Sequence, residues 1–208
     1  MKTILFQGDS ITDCYRTKEN DLHNGTGYAT RVSAQLSYDF PGEYNLLNRG
    51  ISGNRITDLY SRIKIDIINL KPDYISILIG VNDVWHEVAR QNGVAADKFE
   101  KIYNMLIEEI KEELPDVKIM ILEPFVLKGS ATEEEWEFFK TETAKRAQAA
   151  KRVAEKHNLV FVPLQEKFDE MAAKQPEPYW TWEGVHPSAA GHELIARKWL
   201  EGFKELNK

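Results

Sequence analysis

Cysteine occurs once in these 208 residues, and that scarcity closes several routes. A single sulfur, that of Cys14, forms no intrachain disulfide and builds no thiolate metal centre. Long apolar runs are missing too. The chain opens with only Ile4-Leu5-Phe6 after Met1-Lys2-Thr3, far short of a signal-peptide core, and no stretch approaches a membrane span, so a cytoplasmic location is expected. Nor is there an excess of positive charge. With 27 Lys and Arg against 33 Asp and Glu, the formal net charge is −6, which argues against nucleic acid or an anionic membrane as a partner. A neutral small molecule is the expected ligand, and self-association into a homo-oligomer is left open.

The remaining composition, 42% hydrophobic and 29% charged, suits an ordinary globular chain folding as one domain over residues 1–208. Strand-like and helical patterns alternate along it. Short apolar segments at 3–7, 44–48, 74–79, 117–122 and 159–162 read as strands, and YISILI at 74–79 suits a central strand covered on both faces. Helical spacing falls over 27–37, 56–70, 94–114, 132–156 and 188–206. Ser130 and Glu133 have the spacing of a capping box for the fourth helix, and Glu133-Glu134-Glu135 would form its solvated first turn. In the last helix, Leu194, Ile195, Trp199, Leu200 and Phe203 form an apolar stripe facing the core. The expectation is an α/β fold, a three-layer α/β/α sandwich around a five-stranded parallel sheet.

In such a sheet, ligands sit beyond the carboxyl ends of the strands. Gly8-Asp9-Ser10 follows the first strand, Arg49-Gly50-Ile51-Ser52-Gly53-Asn54 the second and Gly80-Val81-Asn82-Asp83 the third. The irregular stretch 175–186 ends in Trp182-Glu183-Gly184-Val185-His186-Pro187. Together these supply the parts of acyl transfer. A serine hydroxyl needs a base, usually an imidazole oriented by a carboxylate; Ser10, His186 and Glu183 are of those types. An oxyanion needs donors, and the Ser10 and Gly53 N–H groups and the Asn82 amide can provide them. Each motif alone is also an ordinary turn, since Gly, Asp, Ser and Asn are favoured there for backbone reasons. Their joint order carries the reading.

The four blocks resemble the SGNH hydrolase superfamily, the GDSL esterases, from Gly8 to Pro187. The resemblance implies a flavodoxin-like sheet, Ser10 as nucleophile, His186 as base, an oxyanion hole of Ser10, Gly53 and Asn82, and no cofactor or metal. It departs at one position, where Glu183 stands in place of the family's aspartate. Tyr179, Trp180 and Trp182 crowd the loop before the base, like the aromatic loop of members that deacetylate carbohydrates, such as acetylxylan esterases. That likeness makes an acetylated oligosaccharide the leading substrate, bound by those three rings and by His86 at the rim. Phe125-Val126-Leu127 after the fourth strand keeps a longer acyl group of the lysophospholipase or thioesterase kind in view, and a binding protein with a decayed triad is a further alternative. Asp9 is expected to hold the turn that presents Ser10, while His23, His157 and His192 read as surface or satisfied residues. His192 shows no acidic or sulfur partner nearby in the sequence.

Overall fold

A computed structural model describes residues 1–21 and 23–208. Five strands, β1 (Lys2–Gly8), β2 (Tyr44–Asn48), β3 (Tyr74–Leu78), β4 (Lys118–Leu122) and β5 (Val160–Val162), form one sheet of order β2-β1-β3-β4-β5, and every pairing is parallel. Alternation along the strands divides the core. Ile4, Phe6, Leu78 and Leu122 point to one face, where they meet α2 (Tyr28–Asp39) and α9 (Ala189–Leu206). Leu5, Ile75, Ile77, Ile119 and Ile121 point to the other, packed by α3 (Ile56–Ser61), α6 (Ala96–Glu113) and α7 (Trp136–His157). The expected three-layer α/β architecture is thus found.

The order places β1 and β3 side by side while their connections run to opposite edges, a topological switch point that opens a crevice at their carboxyl ends. Three short elements shape that crevice. These are α1 (Ser10–Asp13) directly after β1, α5 (Val81–Arg90) after β3, and the loop leading into α9. The sequence reading did not resolve α5, or α8 (Gln165–Ala172) after β5.

Two expectations are corrected. The helix predicted over 56–70 is broken into α3, α4 (Ile63–Asp66) and a 3-10 turn at Ile68–Leu70. The break falls at Arg62, whose guanidinium turns inward to Asn54 Oδ1 at 2.7 Å, the Arg49 carbonyl at 2.9 Å and Asp66 at 3.0 Å; the β-branched Ile63, Ile65, Ile67 and Ile68 do little to hold a continuous helix there. The helix predicted from Thr132 begins at Trp136 and has no capping box. The Thr132 hydroxyl instead donates to the Leu127 carbonyl at 2.8 Å and accepts from the Gly129 N–H at 2.9 Å, and Glu133, Glu134 and Glu135 lie exposed in a turn ahead of the helix.

Candidate active site

Ser10 is the first residue of α1, so its N–H has no partner within the helix. Asp9 caps that helix from below, its buried carboxylate accepting the Ile11 N–H at 2.9 Å. Burial pushes the Asp9 carboxyl up to about 7, against the pull of that hydrogen bond and of nearby His186. The turn is therefore held from beneath while the serine hydroxyl faces a cleft of about 720 Å³.

The opposite wall is the loop before α9. Thr181 bridges Pro187 and the Trp182 N–H donates to the His186 carbonyl at 2.8 Å, closing a tight loop around residues 183–185. Gly184 turns it with φ of +105°, and a Cβ there would meet Thr132 Oγ1 at 2.5 Å and the Leu127 carbonyl at 2.6 Å. Within this loop a Glu183 carboxylate oxygen accepts both the His186 N–H, at 3.0 Å, and the His186 Nδ1–H. The latter bond fixes the tautomer, leaving the Nε2 lone pair toward Ser10 Oγ at 2.8 Å. The loop gives the longer glutamate side chain room to make this contact with His186. The hydrogen bond that His186 donates to the Glu183 carboxylate holds the His186 pKa above its ordinary range, despite burial. Burial alone would raise the Glu183 carboxyl, but the His186 ring and backbone donors hold it below the usual range.

The turn after β2 completes the floor. Gly53 has φ of +81°, a left-handed conformation that costs other residues strain, with open space where a Cβ would point. Asp13 of α1 accepts the Ser52 N–H and hydroxyl at 3.0 and 2.9 Å. Asn82 donates one amide hydrogen to the Asn54 carbonyl at 3.2 Å, and the buried Asp83 accepts the Ile56 N–H at 3.1 Å. The Gly53 turn is thus pinned from α1 on one side and α5 on the other. Ser10, Gly53, Asn82, Glu183 and His186, contributed by four separate segments, all line the one cleft.

The aromatic expectation divides. Trp182 is 71% exposed and lines the cleft with His86. Trp180 does not: it is buried in the core beneath the loop, its indole N–H donating to the Gln175 carbonyl at 3.2 Å. Tyr179 is exposed but outside the cleft lining, packed edge-on against Trp180. Phe125, Val126 and Leu127 are also core residues and offer no wall for a long acyl chain. Sequence reasoning missed Trp85, which lies on α5 three residues after Asn82 and sets its ring 5.8 Å from the His186 ring. It also missed the neighbours of His192. That ring does have a sulfur partner, Cys14 Sγ at 3.3 Å from Nε2, while Nδ1 accepts the Tyr28 N–H at 3.1 Å; burial pushes the imidazole down to about 4. Among the described residues, no group of three His, Cys, Asp or Glu has a geometry that could hold a metal ion, and no helix is long and apolar enough to cross a membrane.

Comparison with known proteins places this chain in a family. The family model of the GDSL-like lipase/acylhydrolase family matches residues 6–194. An acetylxylan esterase of Geobacillus stearothermophilus is 35% identical over 97% of this chain and 94% of its own. A crystal structure of Axe2, an acetylxylan esterase from Geobacillus stearothermophilus, is 34% identical and superposes with a TM-score of 0.86, covering 97% of this chain and 93% of that one. A structure from Parabacteroides merdae described as a GDSL-like lipase is 36% identical with a TM-score of 0.93, covering 98% of this chain and 95% of that chain. This chain belongs to the GDSL-like lipase/acylhydrolase family of SGNH hydrolases and is a carboxylic ester hydrolase.

Proposed function

We propose that this esterase removes acetyl groups from carbohydrates, acetylated xylo-oligosaccharides in the first place, through a Ser10-His186-Glu183 triad. The observation that carries the reading is the unbroken chain from Glu183 through His186 Nδ1 and Nε2 to Ser10 Oγ, opening on a cleft that also holds Gly53 and Asn82. His186 takes the Ser10 proton as Oγ attacks the ester carbonyl. The oxyanion is held by the Ser10 and Gly53 N–H groups and by the second amide hydrogen of Asn82, and His186 then protonates the departing sugar hydroxyl. Water, activated by the same imidazole, releases acetate from Ser10. Trp182 and His86 at the rim contact the sugar that carries the acetyl group, and the exposed indole face suits a pyranose ring. The name of the Geobacillus relative supports the same substrate class. A short acyl group is favoured because the apolar residues after β4 are committed to the core.

The test is acetate release from acetylated xylo-oligosaccharides beside p-nitrophenyl esters of two and eight carbons, with Ser10→Ala as control. Ser10-dependent acetate release and preference for the short ester are expected. Preference for the long ester would move the substrate to lipids or thioesters, and activity retained in Ser10→Ala would remove the nucleophile.

A further inference from the structure

A second groove adjoins the catalytic cleft. It has a volume of about 660 Å³ and runs between α2 and β2, the edge strand of the sheet. Its lining joins hydroxyl and amide groups to apolar surface from Tyr15, Ala34, Tyr44 and Leu46. Thr26, Thr30, Ser33, Ser37 and Asn45 present hydroxyl and amide groups, and among the described residues no Asp, Glu, Lys or Arg lines it. The apolar surface suits the C–H face of a sugar ring, and the hydroxyl and amide groups suit its polar edge. A neutral polyol exchanges hydrogen bonds with such groups at little cost.

The groove and the cleft share one residue, Tyr15. It is 90% exposed and is held with φ of +62°, a conformation that bulky residues rarely adopt. Its ring therefore stands at the junction with no packing role to account for it. Aromatic faces give apolar contact to the C–H face of a sugar ring, so a ring at this point would bridge sugars on either side of it. At the floor, buried Asn24 spends its amide hydrogens on Ser33 Oγ and the Leu46 carbonyl, at 3.1 and 3.3 Å, and its own side-chain carbonyl has no protein partner among the described residues.

We propose that this groove is a second carbohydrate-binding subsite, which holds the unacetylated part of an oligosaccharide whose acetylated sugar occupies the catalytic cleft, with Tyr15 stacking at the join. The proposal rests on the carbohydrate reading of the catalytic site, and its experiment reads binding separately from hydrolysis. Ala34 and Ser37 are exposed positions of α2 on the groove, so Ala34→Trp or Ser37→Trp fills it without disturbing the core.

Saturation-transfer NMR with unacetylated xylotetraose on the Ser10→Ala protein should show contact that either tryptophan removes. In the active enzyme the same substitutions should raise KM for acetylated xylotetraose about tenfold, with p-nitrophenyl acetate kinetics unchanged as the check on folding. No contact in Ser10→Ala, or contact untouched by both tryptophans, overturns the subsite. Xylotetraose contact that the tryptophans abolish, in an enzyme that hydrolyses p-nitrophenyl acetate but releases no acetate from saccharides, would retain the subsite and remove only the substrate assignment.

Discussion

His186 is the residue on which the proposed chemistry turns, and its protonation sets the pH response. As a base it must be neutral, so turnover should appear as pH rises through its pKa, which the Glu183 carboxylate holds above the ordinary histidine value. In Glu183→Gln the imidazolium loses that partner. The acidic limb of kcat/KM should then move to lower pH, while kcat falls on the order of 10⁴-fold because the tautomer is no longer enforced. A pH–rate profile checks both, and an unmoved limb would mean that Glu183 does not orient the base. Asn82 is tested by its amide. One hydrogen is engaged by the Asn54 carbonyl, so the other is the donor available to the oxyanion, and Asn82→Ala should cost about 2.7–4 kcal/mol in kcat/KM. A loss near zero would leave Asn82 the structural task of tying α5 to the Gly53 turn.

At the scale of elements, legibility followed the range of the forces involved. The strands were readable because apolar runs bounded by turn residues report burial directly, and β2 was read to its ends. Ser10, Gly53 and Asn82 were singled out by their place after strand ends and Glu183 and His186 by theirs in the loop before the last helix, and all five line one cleft. Long-range side-chain bonds were not readable. Nothing local announces that Arg62 will turn inward to break a helix, or that Cys14 will meet His192. Trp180 and Trp182 are two residues apart in one aromatic cluster, yet the loop buries one and exposes the other. That loop is itself an element under constraint. Gly184 occupies a left-handed conformation against Thr132 and Leu127, so Gly184→Ala should cost about 1–3 kcal/mol of stability. It should also lower kcat by displacing Glu183 and His186, which flank it in the loop. Thermal denaturation and p-nitrophenyl acetate kinetics would show the two losses together; a kcat held at the parent value would mean that the loop tolerates a side chain here.

For the molecule as a whole, the central fact is that Ser10 and His186 lie 176 residues apart in sequence and 2.8 Å apart in space. Their alignment depends on how β1, which leads into Ser10, is docked against α9, which follows His186. The docking is made by rings. Phe6 of β1 lies 5.3 Å from Trp199 of α9, Trp199 stacks on Phe203 at 5.1 Å, and Phe6 meets Tyr28 of α2 edge-on at 6.0 Å. Trp199 is fully buried and is among the largest such side chains. Replacing it by alanine removes the ring that joins the two elements and leaves a cavity that the sheet cannot collapse to fill, at about 3–5 kcal/mol. A domain typically has about 5–15 kcal/mol to lose, so Trp199→Ala should remain folded at 25 °C with a much lower denaturation midpoint. Because the cluster sets the angle between the nucleophile's strand and the base's helix, kcat should fall well before the global transition as temperature rises. Chemical denaturation measured beside activity over a temperature series checks this. If activity and tertiary signal are lost together, the cluster supports overall stability alone and the triad is aligned by its own loops.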